Sequence, residues 1–62
     1  MNIFTLLIGD RFIFDNNTYK LINFKEIKIP KLGKVNHAIC YCETIKKEQH
    51  FTRNWEVEKL ND

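Results

Sequence analysis

The sequence predicts an all-β domain, and two observations carry that prediction. Residues 9–21 read as strand, tight turn, strand, with apolar residues on either side of Asp15, Asn16, Asn17 and Thr18, types that tolerate turn geometry. The composition agrees. Of the 62 residues 44% are apolar, carried by Ile, Leu, Val and aromatics, with a single Ala. A chain poor in the best helix former and rich in β-branched and aromatic side chains favours a pleated, half-buried surface. No apolar stretch sustains a helical period.

The elements follow in order. Residues 1–8 are apolar but lack a positively charged start, and they are too short for a signal peptide or a membrane span. They read as an opening strand or short helix packed on the body. Residues 11–14 are the first strand, with Phe12 and Phe14 on one face. Residues 15–18 turn the chain, and Asn16-Asn17 accept positive φ with little strain. Residues 19–29 make a long second strand whose apolar positions change phase near Phe24, which predicts a bend or bulge there.

Pro30 and Gly33 place a loop at residues 30–34. Residues 35–43 are the third strand. The near-continuous apolar run from Ala38 to Cys42 predicts a strand that is central or covered on both faces. An exposed turn at 44–47 leads to a fourth strand at 48–52. A short break at 53–55, read as one 3₁₀ turn, precedes a last strand at 57–60, and Asn61-Asp62 form a tail. The predicted core is Phe12, Phe14, Tyr19, Leu21, Ile39, Phe51, Val57 and Leu60.

Size and charge bound the function. Residues 1–62 make one domain, and a chain of this length buries only about 60% of its unfolded surface. An active-site cleft would compete with the core for the same few side chains, which points away from an enzyme. The net charge of +2 is a mild excess, unlike the strongly basic footprint of a dedicated nucleic-acid binder. The charge is uneven: residues 20–34 hold five lysines and one acid, residues 43–62 four basic residues and five acids. Cys40 and Cys42 lie two apart on one strand, poorly placed to close on each other. They read as free thiols of a reducing compartment, the cytosol.

Five short strands, a long bent second strand and a brief turn before the last strand give an order that resembles SH3-like small β-barrels. The residues carrying the likeness are Gly9-Asp10-x-Phe12 with Tyr19-x-Leu21, and Phe51-Thr52-x-Asn54-x-x-Val57. The pattern is similar to the small SH3-like barrel proteins of bacteria and their phages, and it covers roughly residues 6–60. The resemblance implies a five-stranded, partly open barrel acting as a binding module, since such proteins bind peptides, proteins, RNA or DNA. The Lys, Asn and Ile richness also resembles phage or mobile-element accessory proteins. One departure is the absence of Gly from the two hairpin turns.

Several residue sets invite a chemical role. His37, Cys40, Cys42 and His50 are metal-ligand types, but Cys-x-Cys on one strand lacks the turn that lets two thiolates grip one ion, and His50 would face Tyr41 or Cys42 across a hairpin. A Cys–His nucleophile pair would lack an orienting third group. No metal, cofactor or catalytic residue is therefore assigned. The binding candidates are Phe24, Lys25, Lys28, Lys31, Lys34, Tyr41, Arg53 and Trp55: lysines for steering towards an acidic protein surface, aromatics and Arg53 as anchors. The predicted function is a non-enzymatic, cytoplasmic protein-binding module that modulates a host protein, with no membrane role. The alternative is nucleic-acid binding through the lysines of residues 20–34, with ring stacking. The expected state is a monomer or an edge-strand homodimer.

Overall fold

Five antiparallel strands form one sheet: β1 (Arg11–Phe14), β2 (Asn17–Ile29), β3 (Gly33–Cys42), β4 (Lys47–Phe51) and β5 (Glu58–Lys59). They lie side by side in the order β4-β3-β2-β1-β5. This computed structural model describes residues 1–61, so Asp62 of the predicted tail lies outside them. The expected partly open barrel is observed as an open sheet, because no pairing among the described residues joins the edge strands β4 and β5. A two-residue β5 offers too little ladder to close one. Of the two forms expected for the opening segment, strand or short helix, it takes the second, a single 3₁₀ turn at Ile3–Thr5. The break at 53–55 is not 3₁₀. It is a tight turn in which Trp55 N–H donates to the Arg53 carbonyl at 2.9 Å.

The β1–β2 hairpin shows why its turn manages without glycine. Phe14 faces Asn17, leaving Asp15 and Asn16 as the two loop residues, with φ of 51° and 63°. Positive φ at both positions is the turn whose twist matches that of the flanking strands. The strain falls on Asp15 and Asn16, one residue earlier than the sequence suggested. Asn16→Gly is therefore expected to stabilise the fold by about half a kcal/mol, a rise of roughly 2–4 °C in Tm. A thermal melt showing an unchanged or lower Tm would contradict this turn geometry.

The core sits on one face of the sheet. Phe12 stacks on Tyr19 with ring centroids 5.3 Å apart, and Phe51 meets Tyr19 edge-on at 5.3 Å. Inward positions on β3 are small: Cys42 faces Tyr19, Cys40 faces Leu21, and Ala38 lies between Phe24 and Phe51. Large rings on neighbouring strands fill the space above β3, so small residues pack there without a void. Phe12, Tyr19, Leu21 and Val57 are buried as predicted. Phe14 and Phe51 are partly buried against that core. Ile39 and Leu60 are only half-buried. Ile39 alternates with the inward Ala38 and Cys40, so it faces outward. Ile3 and Leu6 are core residues instead. The opening segment is tied down by Ile3 N–H donating to Trp55 O at 2.9 Å and Val57 N–H donating to Met1 O at 2.7 Å.

Candidate functional site

A bulge in β2 creates the candidate surface. Leu21 faces Cys40, but Asn23 faces Ile39, so one extra residue, Ile22, is inserted on β2. Because strand side chains alternate, one inserted residue moves every later side chain to the opposite face. Before the bulge the odd-numbered Tyr19 and Leu21 point into the core. After it Phe24 points inward and packs on Phe4 with centroids 6.1 Å apart. Ile27 and Ile29 are thereby turned out. Ile27 lies directly across from Val35, whose outward side of β3 also carries His37, Ile39 and Tyr41.

The strands here outrun their neighbours. Pairing of β1 with β2 ends at Arg11 and Lys20, and pairing of β4 with β3 ends at Phe51 and Ala38. Among the described residues, from Asn23 of β2 and His37 of β3 onward the two strands pair only with each other, forming a two-stranded arm that contributes to the protein's 38 Å longest dimension. Leu32 N–H donates to Ile29 O at 3.1 Å to close its tip, and Gly33 takes a φ of 80° that L side chains adopt at a cost. Leu32, 75% exposed, lies at that tip between Lys31 and Gly33.

The eight candidate residues do not share one surface. Tyr41 lies on the outer face between Lys20 and Glu48, 37% exposed. Lys25 shares that face, opposite His37. Lys28 and Lys34 are paired across the arm on its other face, which continues the side that Phe24 occupies. Lys34 Nζ reaches Glu26 Oε1 at 3.5 Å, and both side chains are more than half exposed, so that pair adds little stability. Lys31 is in the exposed turn. Trp55 and Arg53 belong to the core side: Trp55 packs on Phe14 at 5.5 Å, with the Arg53 guanidinium 5.8 Å from its ring. The sequence reading missed the outward row of Ile27, Ile29, Val35 and Ile39. Its signal was the phase change near Phe24.

The cysteines and histidines are separated by the sheet. Cys40 and Cys42 are free and buried on the core face, whereas His37 and His50 lie outside, their rings 6.3 Å apart. His50 faces Ile39, not Tyr41 or Cys42. The four loop residues 43–46 set Cys42 against Lys47 and fix that register. His50 Nε2 is 2.8 Å from Glu48 Oε1, and His37 Nδ1 is buried without a hydrogen-bond partner among the described residues. No three His, Cys, Asp or Glu side chains among those residues are grouped to hold a metal ion. Burial pushes the Cys40 thiol up to about 12, which leaves it protonated and unreactive at neutral pH. Among the described residues no helix is long and apolar enough to cross a membrane. Comparison with protein-family models, with curated proteins and with solved structures gives no match.

Proposed function

We propose that this protein is a non-enzymatic protein-binding module whose contact surface is the outer face of β2 and β3. One observation carries the reading: the bulge turns Ile27 and Ile29 to the face opposite the core, beside Val35 and Ile39, and sets these four half-buried apolar side chains in one row. A contiguous apolar row reaching the surface of a small domain marks a candidate interaction site. Tyr41 at one end of the row is the anchor, since a rigid aromatic supplies contact area at low entropic cost. Lys25 on the same face and Lys31 at the tip steer approach towards an acidic patch. Strand order and the long bent β2 support the likeness to SH3-like modules, a fold-level analogy that leaves function to the surface. The module acts by occupying a surface on a host protein. Phe24 then serves packing, and Arg53 and Trp55, exposed on the other side of the sheet, lie outside this contact.

The test is retention from a lysate of the native host. Immobilised protein should hold a discrete protein band that survives nuclease and high salt. The double variant Ile27→Thr with Val35→Thr keeps β-branched residues in the ladder but removes apolar contact. It should weaken that retention about tenfold or more. Equal retention by the variant would remove the outer face from the contact.

Nucleic-acid binding is the second reading, favoured by Lys28 and Lys34 lying opposite each other on the arm's other face. A two-stranded ribbon fits the major groove of DNA. Loss of all retained material on nuclease treatment, with affinity falling linearly in log salt, would establish it instead.

A further inference from the structure

Residues 25–29 of β2 form an edge that, among the described residues, meets no strand on the β1 side. The last pairing there is Arg11 with Lys20, extended by Leu21 N–H donating to Asp10 O at 2.9 Å. The Phe24 N–H is already taken by Asn23 Oδ1 at 2.9 Å, so the open ladder starts at Lys25. It stops at Ile29, because Pro30 has no N–H to offer. Such an edge templates another strand unless something forbids it.

We propose that this edge binds a second copy of the chain, β2 against β2, antiparallel, with the two-fold axis through Ile27. The sequence of the edge selects both partner and register. With Ile27 on the axis, Glu26 faces the partner's Lys28, and Lys28 faces the partner's Glu26. Lys25 faces the partner's Ile29. Residues directly opposed in an antiparallel ladder share one hydrogen-bonding phase, so the axis of a regular self-pairing falls on a residue and not between two. An axis at Lys25 or Lys28 sets lysine on lysine, and one at Glu26 sets carboxylate on carboxylate. Opposite charges directly across a ladder stabilise it and like charges oppose it. The lysines thus guard the edge against foreign strands and admit one self-pairing.

Two features of the isolated arm point the same way. Lys28 and Lys34 face each other across it; Lys34 lies 3.5 Å from Glu26 of its own chain, and the partner's Glu26 would approach Lys28 from its far side. A two-stranded ribbon is also marginal alone, and pairing makes it four strands wide. The outward row becomes Val35, Ile27, then the partner's Ile27 and the partner's Val35, on a face that this pairing leaves uncovered. Self-association therefore does not depend on the proposed docking of another protein, and it doubles the surface available for one.

Sedimentation equilibrium of the purified chain, from micromolar to millimolar, tests this. Wild type should show a reversible monomer–dimer equilibrium, and amide exchange at Glu26 and Lys28 should slow as concentration rises. Glu26→Lys alone, or Lys28→Glu alone, installs two like-charge pairs per dimer and should raise the dissociation constant roughly tenfold or more. The double exchange, Glu26→Lys with Lys28→Glu, restores opposite charges and should restore the dimer. A wild type that stays monomeric with no concentration-dependent protection, single variants that dimerise as well as wild type, or a folded double variant that stays monomeric would each overturn the proposal. Lost dimerisation with unchanged lysate retention would leave the outer-face reading standing.

Discussion

Phe12→Ala is expected to leave most of the chain unfolded at 25 °C. Phe12 is fully buried at the centre of the inner face, stacked on Tyr19 and edge-on to Phe51 at 6.4 Å. Truncating a buried Phe costs about 3–5 kcal/mol, the lost transfer energy plus the cavity left behind. A domain of this length is held by roughly 3–9 kcal/mol in all. The cavity cannot collapse easily, because Tyr19 and Phe51 are already in contact with each other and the facing residues of β3 are small. Ile13→Ala, on the same strand but the outer face and only half-buried, should cost less than half as much. Urea unfolding followed by far-UV circular dichroism checks both. A cooperative Phe12→Ala transition within about 1 kcal/mol of wild type would mean that the aromatic cluster does not hold the sheet together.

Alkaline pH should destabilise the fold steeply above about 9, and the cause is one thiol. Cys40 is fully buried, and burial penalises its thiolate, raising the folded pKa from 9.0 to about 12. Below pH 9 both folded and unfolded chains keep the proton, so the full stability is present. Between 9 and about 12 the unfolded chain gives the proton up while the folded chain retains it. The unfolded state then binds fewer protons, and stability falls as pH rises, by up to about 1.4 kcal/mol per pH unit. Tyr19 is likewise raised, chiefly by burial, from 10.0, and steepens the loss at the upper end. Urea midpoints at neutral pH and at steps above pH 9 measure the slope. Cys40→Ala should flatten it even where that variant is less stable overall. The same slope in Cys40→Ala as in wild type would place the titrating group elsewhere.

How much was legible can be argued residue by residue. The limits of β1 were, because turn residues, Gly9-Asp10 before it and Asp15-Asn16 after it, bracket the apolar run Phe12-Ile13-Phe14. The bulge was legible to within two residues, because the apolar phase of β2 breaks near Phe24. Its consequence was not, since that break alone does not tell which half of the strand faces inward. The inward set of β3 was hidden for a related reason. From Ala38 to Cys42 both faces are apolar, so alternation leaves two equally good assignments. Among the candidate site residues Tyr41 and Lys25 fall on the proposed surface, Lys31 marks its tip, Phe24 falls into packing, and Arg53 and Trp55 stay exposed on the core side.

Local chemistry by itself determined that this chain is all-β, where its strands run and where it turns. These depend on a period of two and on the φ that Asp15, Asn16, Pro30 and Gly33 accept, properties legible within a few residues. Only the tertiary structure decided which side of each strand is inside. That choice rests on register across the sheet, with Leu21 against Cys40 and Phe51 against Ala38, and on the volume the aromatic rings leave for β3. The same choice put the thiols inside and the histidines outside, and it left an arm with one apolar row beyond the body. A side chain's face is a relation between strands distant in sequence, and it becomes definite only when they pack.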